Sequence, residues 1–422
     1  MATPVQVNTH SIGPGESCYF IAATGSAHNG SLEQAKALMT AARDSGANGI
    51  MFQAYDGTIY HDEAPAVRQL VQEERIPDQP GAFAEYMRSR VMGPDWHPAL
   101  SDHAKELGID YLPSVFGDSD LTLLADYHRQ GKVVLGGLGI ESMDHQDPMF
   151  VAKVARVAAE LGIPVLMSIG VREGDSAATA AAVARDAGAN VVLLHSVFGS
   201  PSAPEEQGLS ELRRLQEELG VPVGFSDHTV GHPDADTPAT AHDAIYEGAA
   251  VIKAQIRLPE AAGQAPRGPH RALTPDEYHA LVTAARDAEK NPAHLARRAR
   301  PVTRIYEGNP HHPRPSEKQF RALQRTVIAT SDIPAGAELT LANCTTRRGG
   351  VGVPAREFVP GTTARTAIPA GNVVRAEHLE GAEGRPPQAR KPPVPSQIAG
   401  RTSPHHGDSD TRPPASGSNV RQ

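Results

Sequence analysis

The hydrophobic positions of this chain fall into short continuous runs, most preceded by a glycine and most followed by polar residues. Tyr19-Phe20-Ile21-Ala22-Ala23 is the first. Gly46 leads into Gly49-Ile50-Met51-Phe52-Gln53, Gly108 into Ile109-Asp110-Tyr111-Leu112-Pro113-Ser114, and Gly131 into Val133-Val134-Leu135. Gly162 leads into Ile163-Pro164-Val165-Leu166-Met167-Ser168, and Gly188 into Val191-Val192-Leu193-Leu194-His195. Gly220 leads into Val221-Pro222-Val223, and Gly248 into Ala250-Val251-Ile252-Lys253-Ala254-Gln255. Each of these glycines suits the position just past a helix, where the left-handed conformation is needed. The intervening segments carry helix signals. Ser31 and Gln34 form a capping box ahead of Leu32, Ala35, Leu38, Met39 and Ala42 on one face, and Asp147-Pro148 and Thr274-Pro275 supply N-cap and first-turn residues. Eight continuous apolar strands alternating with helices predict an α/β fold, a (β/α)8 TIM barrel over residues 17–291. The competing arrangement is an open doubly wound sheet. No GxGxxG follows the first strand, which weighs against a dinucleotide-binding version of it.

Beyond the barrel the texture changes. Residues 292–318 form a Pro-, Arg- and His-rich linker. Arg325–Ala329 and Glu338–Thr340 read as strands, and the turn chemistry of Asp332-Ile333-Pro334-Ala335-Gly336 recurs in Ala367-Ile368-Pro369-Ala370-Gly371. A small, mostly β domain is expected over 319–380. Residues 1–16 read as an N-terminal extension, and residues 381–422, nearly devoid of apolar side chains, as a disordered tail.

Charge and composition narrow the partners. The net charge of -9 is spread along the chain with no basic block, so no nucleic acid is expected. Two cysteines, Cys18 and Cys344, give neither a disulfide framework nor a CxxC metal site. Residues 1–16 lack the apolar run of a signal peptide, and no stretch has the length of a membrane span. The expectation is a cytoplasmic protein acting on a small molecule.

The chemistry concentrates at Gly224-Phe225-Ser226-Asp227-His228-Thr229-Val230-Gly231, where an apolar run ends in a hydroxyl, a carboxylate, an imidazole and a hydroxyl. In a barrel, polar residues at a strand end face the ligand site. The plain alternative is a turn in which Asp227 caps the backbone. Lys253 lies two residues before Gln255, so both point into the barrel. A lysine enclosed there is desolvated, which favours the neutral amine of a base or Schiff-base nucleophile; as an ammonium it restores a cation for an anionic substrate. The alternative is a lysine paired with a neighbour such as Asp227, or one that reaches out to the barrel mouth. His195, at the end of its strand, and His28, in a loop after the first strand, are candidate proton carriers.

Three stretches together resemble the sialic acid synthase (N-acetylneuraminate synthase) family: Ile21-Ala22-Ala23-Thr24-Gly25-Ser26-Ala27-His28-Asn29-Gly30-Ser31 with Met51-Phe52-Gln53; Gly224 to Thr229; and Asp332-Ile333-Pro334-Ala335-Gly336 with Arg347-Arg348-Gly349-Gly350-Val351-Gly352. The last is similar to the antifreeze-like (SAF) domain. The resemblance implies a barrel followed by a SAF domain, and a domain-swapped homodimer in which each SAF domain covers the partner's barrel. It implies condensation of phosphoenolpyruvate with an N-acetylated amino sugar, assisted by a divalent metal such as manganese or zinc. It also implies substrate contacts from Gln53, Ser114, Ser168, Ser226, Asp227 and Arg271, with Arg348 reaching the partner's site, and His228 as a metal ligand.

The sequence departs from that pattern at several positions. Ala23 replaces a catalytic glutamate, Met51 a phosphate-binding lysine, and Gln255 the second metal-ligand histidine; Lys253 occupies the place of an acid. The family's Lys-x-x-Ser-x-Glu is aligned with Leu135, Leu138 and Ile140. Two lost lysines leave little to hold a phosphate, and one imidazole with one amide is a poor site for a divalent ion. The expectation is a divergent member that forms or cleaves a carbon–carbon bond on a sugar or oxo acid. The alternatives are a catalytically inactive relative that binds a sugar ligand or partner enzyme, and an ordinary phosphoenolpyruvate-dependent synthase with a rebuilt site.

Overall fold

A computed structural model of the chain describes residues 2–60, 82–199, 201–230, 236–259, 272–291, 293, 301–349 and 351–380. Arg271 and the tail from 381 lie outside them. A two-stranded antiparallel hairpin, β1 (Val5–Val7) and β2 (His10–Ile12), opens the chain. Eight parallel strands then close a barrel: β3 (Tyr19–Gly25), β4 (Gly49–Ala54), β5 (Asp110–Val115), β6 (Leu138–Ile140), β7 (Val165–Ser168), β8 (Val191–Ser196), β9 (Val223–Ser226) and β10 (Val251–Gln255), with β10 pairing β3. Helices follow the strands as the caps predicted. The side chains of Ser31, Asp147 and Thr274 each accept backbone N–H groups of the first turn. No helix among the described residues is long and apolar enough to cross a membrane.

One expectation fails at the fourth strand. Val133-Val134-Leu135 does not join the sheet; β6 begins three residues later, at Leu138. Val134 is half exposed, and Gly137 lies where a Cβ would stand 2.6 Å from the Leu166 side chain, so the chain must pass β7 closely before pairing begins.

Strand alternation sorts the barrel's side chains into two layers. Ile50, Phe52, Leu193, Phe225 and Ile252 pack outward in the large core between sheet and helices. Ile21, Met51, Leu112, Leu166, Leu194 and Val251 point inward, where Val5, Val7 and Ile12 of the hairpin join them. That apolar layer closes the N-terminal end of the barrel. Tyr19, Asn8 and His10 converge on Asp110 below it. One step further along β4, β5, β7, β8, β9 and β10, the inward positions become polar: Gln53, Ser114, Ser168, Ser196, Ser226, Lys253 and Gln255.

The second domain is built from β11 (Arg325–Ala329) paired with β13 (Cys344–Arg348), and β12 (Glu338–Leu339) paired with β14 (Thr362–Thr363). Its core, with Val327, Ile333, Leu339, Phe358 and Ile368, also takes in Met149 from the helix Pro148–Leu161 of the barrel. Ahead of it, Phe320 and Leu323 pack on Met143 and Val171 at the barrel's mouth. The segment ahead of β11 is therefore seated on the barrel. Glu317, 3% exposed, accepts the backbone N–H groups of Val171, Phe198 and Arg314.

Candidate functional site

A cavity of about 170 Å³ opens at the C-terminal ends of the strands, the end at which barrel enzymes place their chemistry. Its floor is the polar layer, its walls are loops, and its roof includes the second domain.

On the floor stands an ion pair. The Lys253 ammonium donates to both Glu141 oxygens at 3.0 Å. The side chains are only 7% and 14% exposed. Ser114 donates to Glu141 Oε1 at 2.7 Å, and Lys253 reaches Ser168 Oγ at 3.3 Å. Burial by itself pushes the Glu141 carboxyl up, but the Lys253 charge, the Ser114 hydrogen bond and the more distant Arg348 charge outweigh it and hold Glu141 below the usual carboxylate range. Gly139 sits opposite Ser114 in the register, and a Cβ there would stand 2.5 Å from Ser114 Oγ. A glycine at that point of β6 lets the serine approach Glu141.

Glu141 is the main site residue that sequence reasoning missed. The error is one of register. With Leu135 aligned to the family lysine, the acid position falls on Ile140, a β6 core residue. Moved by one, the same spacing gives Gly136, Gly139 and Glu141. The pairing of Lys253 with a neighbour is present, but the partner is Glu141 rather than Asp227. Asp227 instead accepts both the N–H and the hydroxyl of Thr229, at 2.8 and 2.7 Å, which is the turn-capping role.

Gln53, Ser226, Asp227, His228, Lys253, Gln255 and Arg348 all border the cavity, as do Ala23 and Met51. Ser114 and Ser168 lie just beneath it, through their bonds to the ion pair. The two histidines proposed as proton carriers do not belong to this group. His195 occupies an odd position of β8, between the inward-pointing Leu194 and Ser196, so alternation turns it outward. There its ring lies beside Phe225 and its Nε2 meets the Gln207 carbonyl at 2.7 Å. Full burial and the nearby Arg172 charge lower its pKa to about 3. His28 is also buried, edge-on to Trp96, and accepts the Gly30 N–H at Nδ1. Burial, with the Arg90 charge, lowers its pKa to about 4. Neither imidazole reaches the cavity to exchange a proton there. The alternation that placed Lys253 inward, applied to β8, would have excluded His195.

Within the chain, the second domain carries Arg348 to the mouth of the barrel. Its guanidinium grips Asp144, three residues after Glu141, through Nε at 3.1 Å and Nη2 at 2.6 Å, and its backbone N–H donates to the Ile59 carbonyl. Arg325, its register partner across β11 and β13, bonds Asp147 at 3.0 Å and Asp144 at 3.3 Å. Both aspartate side chains are completely buried. Tyr60 and Phe116 flank Arg348, and with Tyr55 and Phe198 they make much of the wall aromatic.

A divalent ion does not suit the donors on hand. His228 and Gln255 both line the cavity, yet among the described residues no three His, Cys, Asp or Glu side chains converge as a ligand set. The carboxylate at the floor, Glu141, is engaged by Lys253 and Ser114. A single imidazole with an amide is too weak a set for manganese or zinc.

Comparison with known proteins agrees with this architecture. Residues 38–295 match the model of the NeuB family, and residues 324–380 match that of the SAF domain. The N,N'-diacetyllegionaminic acid synthase of Legionella pneumophila is 24% identical over 379 residues, covering 87% of this chain and 96% of that protein. The pseudaminic acid synthase of Helicobacter pylori is 23% identical, over 84% of this chain and 95% of its own. In structure, the spore coat polysaccharide biosynthesis protein SpsE of Bacillus subtilis superposes with a TM-score of 0.70 at 22% identity, over 89% of this chain and 99% of that one. With a family match spanning most of the barrel and a SAF domain behind it, the chain belongs to the NeuB family, whose relatives here include enzymes named for sugar-acid synthesis.

Proposed function

We propose that this protein is a divergent sialic-acid-synthase-like enzyme of carbohydrate or specialised metabolism. It makes or breaks a carbon–carbon bond on a sugar or small oxo acid, using Lys253 as an amine nucleophile and Glu141 as its proton partner. The observation that carries this reading is the Lys253–Glu141 pair on the cavity floor. A buried ion pair is weak as a stabilising device, since desolvation offsets most of the attraction. At the strand ends of a barrel, beside open space, it is well placed for chemistry.

The steps balance without an outside reagent. One ammonium proton passes from Lys253 to Glu141, over a contact of 3.0 Å. The freed amine adds to a substrate carbonyl. Glu141 returns the proton to the departing hydroxyl, which leaves as water, and the resulting iminium faces the Glu141 carboxylate. The site thus begins and ends as a pair of opposite charges and passes through a neutral pair, so no charge is left unpaired at any step. An iminium withdraws electrons from the adjoining carbon, the condition for forming or cleaving a bond there. Ser114 and Ser168 orient the pair, while Gln53, Ser226 and Gln255 offer hydrogen bonds to substrate oxygens.

Borohydride reduction in the presence of a panel of sugars and oxo acids tests this. Capture of at least one carbonyl compound as a stable secondary amine is expected; the absence of any adduct across the panel contradicts it. A second reading, a non-catalytic relative that binds a sugar or a partner enzyme, draws support from Ala23 and Met51, apolar at positions where the family resemblance implies a glutamate and a lysine.

A further inference from the structure

We propose that the substrate activated at Lys253 is an unphosphorylated 2-oxo acid, in place of the enol phosphate that the family resemblance implies. The inference rests on the imine reading above and adds the substrate class. It comes from the charges around the cavity. Among the described residues, the cations lining it are Lys253 and Arg348, and both are engaged. Lys253 holds Glu141 through both oxygens, and Arg348 holds Asp144 through two nitrogens. Asp227 adds a further carboxylate to the lining. At the inward positions of β3 and β4 stand Ala23 and Met51, 7% and 2% exposed. Within that set a phosphate dianion together with a carboxylate finds no uncommitted cation, and unpaired charge taken from water is costly.

A 2-oxo acid brings one negative charge. The cavity's neutral donors suit that load: the Ser226 hydroxyl and the Gln53 and Gln255 amides line it, and the Ser168 hydroxyl lies beside Lys253. The chemistry agrees. An enol phosphate offers an amine no carbonyl, whereas the keto carbon of a 2-oxo acid does. Once the iminium has formed, Glu141 takes a proton from the carbon next to it and leaves an enamine. That carbon attacks the aldehyde of a second substrate, whose oxygen receives the proton back from Glu141. Water then hydrolyses the iminium, frees Lys253 and releases a 4-hydroxy-2-oxo acid. One carbon–carbon bond is made and no phosphate is released. The cavity's aromatic wall, Tyr55, Tyr60, Phe116 and Phe198, offers ring faces to the carbon skeleton of the aldehyde partner.

Pyruvate and phosphoenolpyruvate share a carbon skeleton and differ in the phosphate, so the pair isolates the claim. The full-length wild-type protein is titrated with each by calorimetry, and in parallel reduced with borohydride in the presence of each and of a panel of sugar aldehydes and ketones. The expected result is saturable binding and an adduct with pyruvate, and binding of phosphoenolpyruvate weaker by about tenfold or more. Phosphoenolpyruvate binding as tightly as pyruvate overturns the inference. So does an adduct with a sugar carbonyl and none with pyruvate, an outcome that leaves the imine reading standing. If no carbonyl compound is captured, the imine reading itself fails and this inference falls with it.

Discussion

Lys253 and Glu141 depend on each other, and that dependence can be measured. Glu141→Gln leaves an ammonium facing a neutral amide in a site where the Lys253 side chain is 7% exposed. Removing one partner of a buried pair typically costs about 3–5 kcal/mol, while replacing both with apolar residues of similar size is often neutral. Glu141→Gln is therefore expected to lower stability in urea denaturation by about that amount, and the double variant Lys253→Met, Glu141→Leu to recover most of it while forming no borohydride adduct. A double variant as unstable as the single would show that the pair holds the fold rather than the chemistry. The lysine was legible in the sequence because it interrupts an apolar strand at an inward position. Its partner was not, because β6 is three residues long and the glycines around it leave the register of Glu141 undetermined without the neighbouring strands.

At the level of strands and helices, alternation explains both what was legible and what was misread. The eight strands, their order in the chain and the polar layer at their ends follow from period two and from the glycines between units. His195 was misread because its place at a strand end outweighed its parity. His28 was misread because loop composition does not reveal that Trp96 and Phe52 will enclose the ring. The buried imidazoles have a consequence for pH. Burial lowers His28, His97 and His145 to about 4 and His195 to about 3. In the unfolded chain each titrates near 6.5, so the unfolded state binds more protons below that value. Their contribution is complete above pH 6.5 and is lost as pH falls toward 4, by up to about 1.4 kcal/mol per pH unit for each. Asp120, raised to about 7 by burial and the nearby Asp56 charge, and Glu317, raised by burial, act in the opposite direction, two groups against four. Thermal melts are expected to show the midpoint falling steadily from pH 7 to pH 4.5. A midpoint that holds or rises over that range would contradict the burial of these rings.

At the scale of the whole molecule, the barrel and the second domain were both visible in composition and turn chemistry, but the seat of one on the other was not. Nothing in the sequence marks Asp144 and Asp147 as partners of Arg348 and Arg325, about two hundred residues away. The four side chains form a charged contact buried beneath the roof, and Asp144 lies three residues from Glu141. In this arrangement a chain supplies its own Arg348. Mixing Lys253→Ala chains with Arg348→Ala chains tests it, with adduct formation on the Arg348→Ala chain as the readout. No gain over the Arg348→Ala chain alone is expected; a gain on mixing would mean that Arg348 crosses to a partner's barrel, as in an exchanged homodimer.

The proposed chemistry turns on the amine of Lys253. The most direct measurement is to reduce the wild-type protein with borohydride in the presence of a captured carbonyl compound, digest it, and locate the modified lysine by peptide mass spectrometry. A single modified peptide carrying Lys253, absent from Lys253→Arg, is expected. Modification of another lysine, or an adduct that persists in Lys253→Arg, would contradict it.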